Sequence, residues 1–276
     1  MKNVISFFIY TNLYVSICVV SLYKITEILF GFSNNMISYL VFFTTLFAYN
    51  YMRMPLFSIQ SISSRSFWIQ KNSNVIYTIL TISFFASLYY ISLLGIIYLY
   101  LITPVIIISF LYPLRLKIKC NYLSIREFPL LKIFLVAFSW SFITILAPLL
   151  YLNYVIDYNV IVHFFRIILF IVAISIPFDI RDFSIDQIST IPRLIGILNS
   201  KIFALFCLFI FEMSLIVDLL KNIISVTDFF AFFVTIELSA LVIYFSNEKK
   251  SEWFFSVVVE SLSIIMFLFV LILSLI

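Results

Sequence analysis

Apolar residues in this chain come in runs about as long as a bilayer is thick, and polar residues gather in the gaps between them. A hydrocarbon core of about 30 Å takes roughly 20 helical residues at 1.5 Å each. That rule places spans at residues 4–22, 36–51, 132–152, 160–178, 202–220, 229–245 and 253–275. Residues 75–112 are apolar throughout and as one helix would be roughly 57 Å long, almost twice the core. This stretch must therefore fold back, and Ser92–Gly95 is where the sequence allows it, with Pro104 kinking the second half. The pattern predicts nine transmembrane helices in a single all-α integral membrane domain spanning residues 1–276. Between the spans, Gly31 to Asn35 forms a turn, Lys24 and Glu27 pair one helical turn apart, and Arg65, Phe67 and Trp68 mark a short interfacial helix.

Charge tests the count independently. With the N-terminus cytoplasmic, only Lys24, Arg166 and Lys221 of the 17 basic residues fall in or beside outer connections, as the positive-inside rule requires. The first apolar run is long and lacks a small-residue cleavage site, so it reads as a retained span and not a signal peptide. Only 11% of residues are charged, and mean hydropathy is +1.19. Such a chain cannot hide its apolar surface in a water-soluble globule. The bilayer is the expected environment, and a bacterial inner membrane the expected location. The net charge of +4 is spread over alternating loops, which is a topology signal and excludes a nucleic-acid patch. Cys18, Cys120 and Cys207 are widely separated and read as free thiols.

The candidate chemistry lies at the end of the sixth run. On a helix advancing about 100° per residue, Asp179, Asp182 and Asp186 share one face within roughly 60°. Carboxylates at the end of a membrane helix are costly unless they pair or bind a cation, so function is the default hypothesis for them. The alternative is a solvated helix end balanced by Arg181 and Arg193.

The segment Asp179-Ile-Arg-Asp182-Phe-Ser-Ile-Asp186, followed by Thr190-Ile-Pro192 and Gly196, resembles the second aspartate-rich motif of the UbiA superfamily of intramembrane prenyltransferases. Tyr112-Pro113-Leu-Arg115 after the fourth span, and the expected nine-span architecture, fit the same resemblance. It implies a UbiA-like bundle that transfers an isoprenoid chain from a prenyl diphosphate to an acceptor within the bilayer, on the cytoplasmic side. It further implies Mg2+ at one site held by Asp179, Asp182 and Asp186, with Asp182 and Asp186 catalytic. The metal would bridge diphosphate oxygens and offset charge on the leaving group, while aromatic faces stabilise the allylic cation.

The family's first motif, N-D-x-x-D-x-x-x-D near the end of the second span, is missing. Aligning on Asn50 puts Tyr51, Met54 and Ser58 where its carboxylates belong, with Arg53 beside them. The interval from Asp186 to Thr190 is also about three residues short. One reading keeps activity with an altered site, in which Asn50, Arg53, Arg115, Lys117 and Arg181 contact the diphosphate, since arginine forks match phosphate oxygens. Another reading is a catalytically inactive protein of the same fold that binds a prenyl diphosphate or other isoprenoid lipid, or serves another chain as a partner subunit. A cation-coupled transporter is a third, although paired interrupted helices in repeated halves are not visible. Arg53 as a snorkelling anchor, and Arg115, Lys117 and Lys119 as topology determinants, remain the plainer alternatives. Glu212, Glu237 and Glu260 each interrupt an apolar run at a cost of about 2.5 to 3.5 kcal/mol on insertion scales. Hydrogen bonding within the bundle, or a place in an acceptor or proton path, would explain them. His163 reads as a packed histidine.

Overall fold

The computed structural model describes residues 2–53, 64–118, 121–124, 129–183 and 190–275. Its elements are α1 (Lys2–Tyr10), α2 (Leu13–Phe30), α3 (Asn35–Tyr51), α4 (Ser64–Lys71), α5 (Ser73–Leu94) and α6 (Ile96–Leu111). A hairpin of β1 (Arg115–Ile118) and β2 (Asn121–Ser124) follows, paired antiparallel with Arg115 opposite Ser124. Next come α7 (Pro129–Ser141), a π-helical turn at Phe142–Leu146, α8 (Ala147–Tyr151), α9 (Tyr158–Arg181), α10 (Ile191–Ile195), α11 (Ile197–Leu220) and α12 (Val226–Phe245). A second π-helical stretch, Phe254–Val259, leads into α13 (Glu260–Ser274).

Seven of these helical segments are long and apolar enough to cross a membrane, and α3 and α6, at 17 and 16 residues, are shorter. The expected fold-back occurs at Gly95, whose φ of 86° and ψ of 171° suit glycine best. The 31–35 turn is also present. Gly31 closes α2 in the left-handed region, and the Asn34 side chain caps α3 by accepting from the Met36 and Ile37 amides. The short helix expected around Trp68 is α4, with Trp68 against Tyr10 at 5.5 Å between ring centroids.

Two expectations are corrected. Residues 4–22 do not form one helix. The chain breaks at Thr11 and Asn12, where Asn12 is left-handed at φ 63°, and the span is Leu13–Phe30. Helix α9 also stops at Arg181, with Asp182 as its C-cap. The single helical face drawn through Asp179, Asp182 and Asp186 therefore does not continue past its second member, and Asp186 lies outside the described residues.

The long helices pack as a ring in which α13 returns to α2, while α9 lies against α7, α11 and α12. The span formed by α9 is 67% buried, against 22% for α5, so α9 is the inner post of the bundle. Lipid tails are as apolar as the side chains facing them, so close packing and polar contacts have to hold the helices together. Buried Phe170, Ile176, Phe211 and Phe255 fill the larger core around α9, and Tyr23, Leu40 and Tyr98 fill a second core between α2, α3 and α6. The buried hydroxyls of Ser16, Ser87 and Ser239 return their hydrogen bonds to the carbonyl four residues earlier, which satisfies them in an apolar setting.

Candidate active site

A cavity of about 430 Å³ opens between α3, α5, α6 and α7, within the range of ordinary ligand pockets. Its body is apolar and aromatic. Phe47, Tyr51 and Phe110 line it with ring centroids 5.1 to 6.3 Å apart, and Phe84 meets Phe47 at 5.5 Å. Its other end carries cations: Arg53, just past the end of α3, and Lys132, in the first turns of α7. Tyr49 and Trp140 also line it, with the indole Nε1–H donating to the Tyr49 hydroxyl at 3.0 Å. Among the described residues no carboxylate lines the cavity.

The two described aspartates of the motif, Asp179 and Asp182, stand at the end of α9. Asp179 is 1% exposed, and its Oδ1 accepts from Lys132 Nζ at 2.9 Å. Asp182 is gripped by the neighbouring Arg181 through a two-bond fork, Nε to Oδ1 at 2.7 Å and Nη2 to Oδ2 at 3.0 Å. The same guanidinium lies over the rings of Phe178 and Phe255, at 5.4 and 5.8 Å. Lys132 thus links the cavity to Asp179. The sequence offered Lys132 only as the start of a span, and its one signal was a cation at the same membrane end as the aspartates.

The other expected ligands divide. Arg53 lines the cavity. Asn50 does not, because its amide ties α3 to the α1–α2 break. Its Nδ2 donates to the Thr11 and Leu46 carbonyls at 3.0 and 2.8 Å, and its Oδ1 accepts from Asn12 at 3.0 Å. Asn50 is 1% exposed and so serves the packing of the chain. Arg115 and Lys117 both lie on β1, where a bare basic loop was expected.

Magnesium wants a set of oxygen ligands free to coordinate it. Among the described residues no three acidic, histidine or cysteine side chains converge, and each described aspartate of the motif already holds a cation of the chain. As they stand, Asp179 and Asp182 do not fit a magnesium cage. Either would have to exchange its lysine or arginine for the ion.

The remaining polar residues have structural settings. Arg166, near the other end of α9, donates to Ser214 Oγ, to the Ser214 carbonyl and to Asp218, which also accepts from the Tyr158 hydroxyl at 3.0 Å. Lys24 pairs with Glu27 as expected. His163 is buried against Phe30 and Phe232.

The whole architecture has counterparts among solved structures. The apo structure of a UbiA homologue from Aeropyrum pernix K1 superposes with a TM-score of 0.70 over 93% of this chain and 97% of that one, at 13% identity. The chain has the UbiA-type fold. A second UbiA-type structure, described in connection with digeranylgeranylglyceryl phosphate synthase in membranes, matches 99% of this chain and 98% of that one at 15% identity, with a TM-score of 0.58. No sequence-family profile matches the chain, and no curated protein does. Fold likeness at this identity speaks for the UbiA-type bundle and leaves its chemistry to be argued from the residues.

Proposed function

We propose that this UbiA-type protein is a membrane prenyltransferase with an altered diphosphate site, built from nine membrane-crossing helices and working at the cytoplasmic face. The observation that supports the reading is the cavity, apolar and aromatic along its body and cationic at one end. A molecule with an isoprenoid tail and a phosphate head matches both halves. The tail lies along Phe47, Phe84 and Phe110, and the head meets Arg53 and Lys132. Arg53 contributes a planar fork to the phosphate oxygens, and Lys132 a point charge held in place by Asp179.

In this reading the residues of the chain do the electrostatic work of catalysis. Arg53 and Lys132 stabilise the charge that builds on the leaving diphosphate as the C1–O bond breaks. The faces of Tyr51 and Phe110 stabilise the allylic cation left behind. Asp182 orients Arg181 toward the same end of the bundle, and Asp186, Arg115 and Lys117 belong to the same proposal as further members of the motif and the following hairpin. Magnesium, where a prenyltransferase uses it, supplies charge neutralisation of the diphosphate. Here the two cavity cations stand in the corresponding role.

The test is release of pyrophosphate by purified protein in lipid nanodiscs given a prenyl diphosphate and a panel of prenyl acceptors. Arg53→Ala should suppress release strongly and Asp182→Ala abolish it. The second reading, an isoprenoid-binding protein without turnover, is favoured by one observation: the described aspartates are already neutralised within the chain. Saturable binding with no release across the panel would establish it in place of the first.

A further inference from the structure

Helix α3 gives the cavity two flanks of different chemistry. At about 100° per residue, Phe47 and Tyr51 fall on one side of the helix, Thr45 and Tyr49 on the other, and the small Ala48 between them. All five line the cavity. The first side meets Phe84 of α5 and Phe110 of α6 in ring contacts and makes an aromatic wall. The second turns toward α7, where the Trp140 indole donates to the Tyr49 hydroxyl at 3.0 Å. Ser139, the neighbour of Trp140, lines the cavity on the same face of α7 as Lys132, seven residues and so about two turns further on. The π-helical turn that follows begins at Phe142, and such turns recur at functional sites.

The hydroxyls on this second side are open to a ligand. Thr44 and Ser87 also line the cavity, but their hydroxyls return to the Leu40 and Ser83 carbonyls, each at 2.7 Å. Thr45 and Ser139 have no hydrogen-bond partner among the described residues, although Thr45 is only 7% exposed. Tyr49 accepts the indole proton, and its own proton has no hydrogen-bond acceptor among the described residues. A buried hydroxyl without a partner is costly in an apolar setting, and a ligand oxygen placed between α3 and α7 relieves that cost. The donor set also defines the ligand. Tyr49, already accepting from Trp140, offers a proton, whereas Thr45 and Ser139 can give or take one. None of the three is charged, so they suit a neutral molecule that carries oxygen.

We infer that Thr45, Tyr49 and Ser139 form a second subsite of the cavity, which binds a neutral molecule through its hydroxyl or carbonyl oxygens, and that this molecule is the prenyl acceptor. Its assignment as the acceptor rests on the prenyltransferase reading. Thr45 lies eight residues before Arg53 and Ser139 seven after Lys132, roughly 10–12 Å along a helix axis. A compact acceptor anchored by its oxygens at that depth extends toward the cations. Its reacting atom then faces C1 of a prenyl chain laid along the aromatic wall.

The test compares two neutral probes of one shape, para-methoxyphenol and its oxygen-free counterpart para-ethyltoluene. Equilibrium dialysis against the protein in lipid nanodiscs, with empty nanodiscs correcting for partition into lipid, measures both. The phenol should bind about tenfold more tightly, as one or two added hydrogen bonds provide. Thr45→Val, Ser139→Ala and Tyr49→Phe should each reduce that preference several-fold, and Thr45→Ser should keep it. A substitution that merely loosens the bundle weakens both probes alike and leaves their ratio intact. That result in all three variants, or equal affinity of the unmodified protein for the two probes, overturns the inference. A preference present in the unmodified protein and lost in the variants, with no pyrophosphate released from a prenyl diphosphate in the presence of any oxygenated acceptor, removes the prenyltransferase reading instead. The subsite then stands as one for an oxygen-bearing ligand that is not prenylated.

Discussion

Helix α9 carries a buried ion pair toward each end, and the two ends are built for different purposes. Toward its start, Arg166 has a partner in every direction: the hydroxyl and carbonyl of Ser214 and the carboxylate of Asp218, itself braced by Tyr158. Both charged side chains are nearly inaccessible, at 8% and 2%. Toward its finish, Asp179 is equally buried at 2%, but Lys132 is 22% exposed and lines a cavity. Opposite charges in an apolar setting attract strongly in both places. What differs is whether the cation is closed off or shared with a space a ligand can enter. A closed pair fastens α9 to α11, whereas an open pair holds a cation ready for a second anion.

The comparison is broken most forcefully at the closed end. Arg166→Ala or Asp218→Ala leaves an uncompensated charge in the bundle, a defect that costs about 3–5 kcal/mol when a buried pair loses one partner. Thermal unfolding in detergent should show the loss. Folded material that survives should bind prenyl diphosphate as before, because neither residue lines the cavity. Loss of binding with unchanged unfolding would mean that the two ends are not separate in function.

The open end should respond in the opposite sense. Removing a charged hydrogen-bond donor is worth about 1.5–3 kcal/mol, so Arg53→Ala should weaken prenyl diphosphate binding roughly 10- to 100-fold while unfolding moves little. Arg53→Lys should restore part of the affinity, since a point charge replaces a fork. Titration calorimetry with a short-chain prenyl diphosphate measures both. An unaltered affinity would leave Arg53 as a membrane-surface anchor.

Asn50 sharpens the contrast because the sequence offered it as a diphosphate ligand. Its donors and its acceptor are all engaged at the α1–α2 break. Asn50→Ala leaves buried partners unmet, at about 1–3 kcal/mol, and should lower stability with affinity held constant. A fall in affinity at constant stability would return Asn50 to the site.

These cases also show what could be read from the sequence. The fold-back at Gly95 was legible because a run too long for one crossing contains one residue suited to the break. The break at Asn12 was not, because it lies inside a run of acceptable span length and depends on Asn50, thirty-eight positions later. The aspartate motif was legible as an expensive cluster at a helix end. Its partners were not: Lys132 is forty-seven positions from Asp179, and helical periodicity carried the expected shared face beyond the real end of α9. The pairing of Arg166 with Asp218 left only a weak trace, two opposite charges in separate apolar runs. The cavity belongs to four helices together and left no trace beyond Arg53 at the end of one of them.

The smallest effect is expected from metal removal, and it bears on the open end alone. A site that depends on a metal-bridged diphosphate loses its ligand when the ion is chelated, whereas Arg53 and Lys132 remain in place. With EDTA, prenyl diphosphate affinity should therefore stay within about tenfold of its value in magnesium, a difference of about 1.4 kcal/mol or less. The same titration on Asp179→Asn separates two causes. If Asp179 serves only to hold Lys132, the variant should bind as well with EDTA as with magnesium, because Lys132 is released toward the ligand. If Asp179 instead exchanges Lys132 for the ion, the unmodified protein should need magnesium and the variant should lose that dependence together with its affinity.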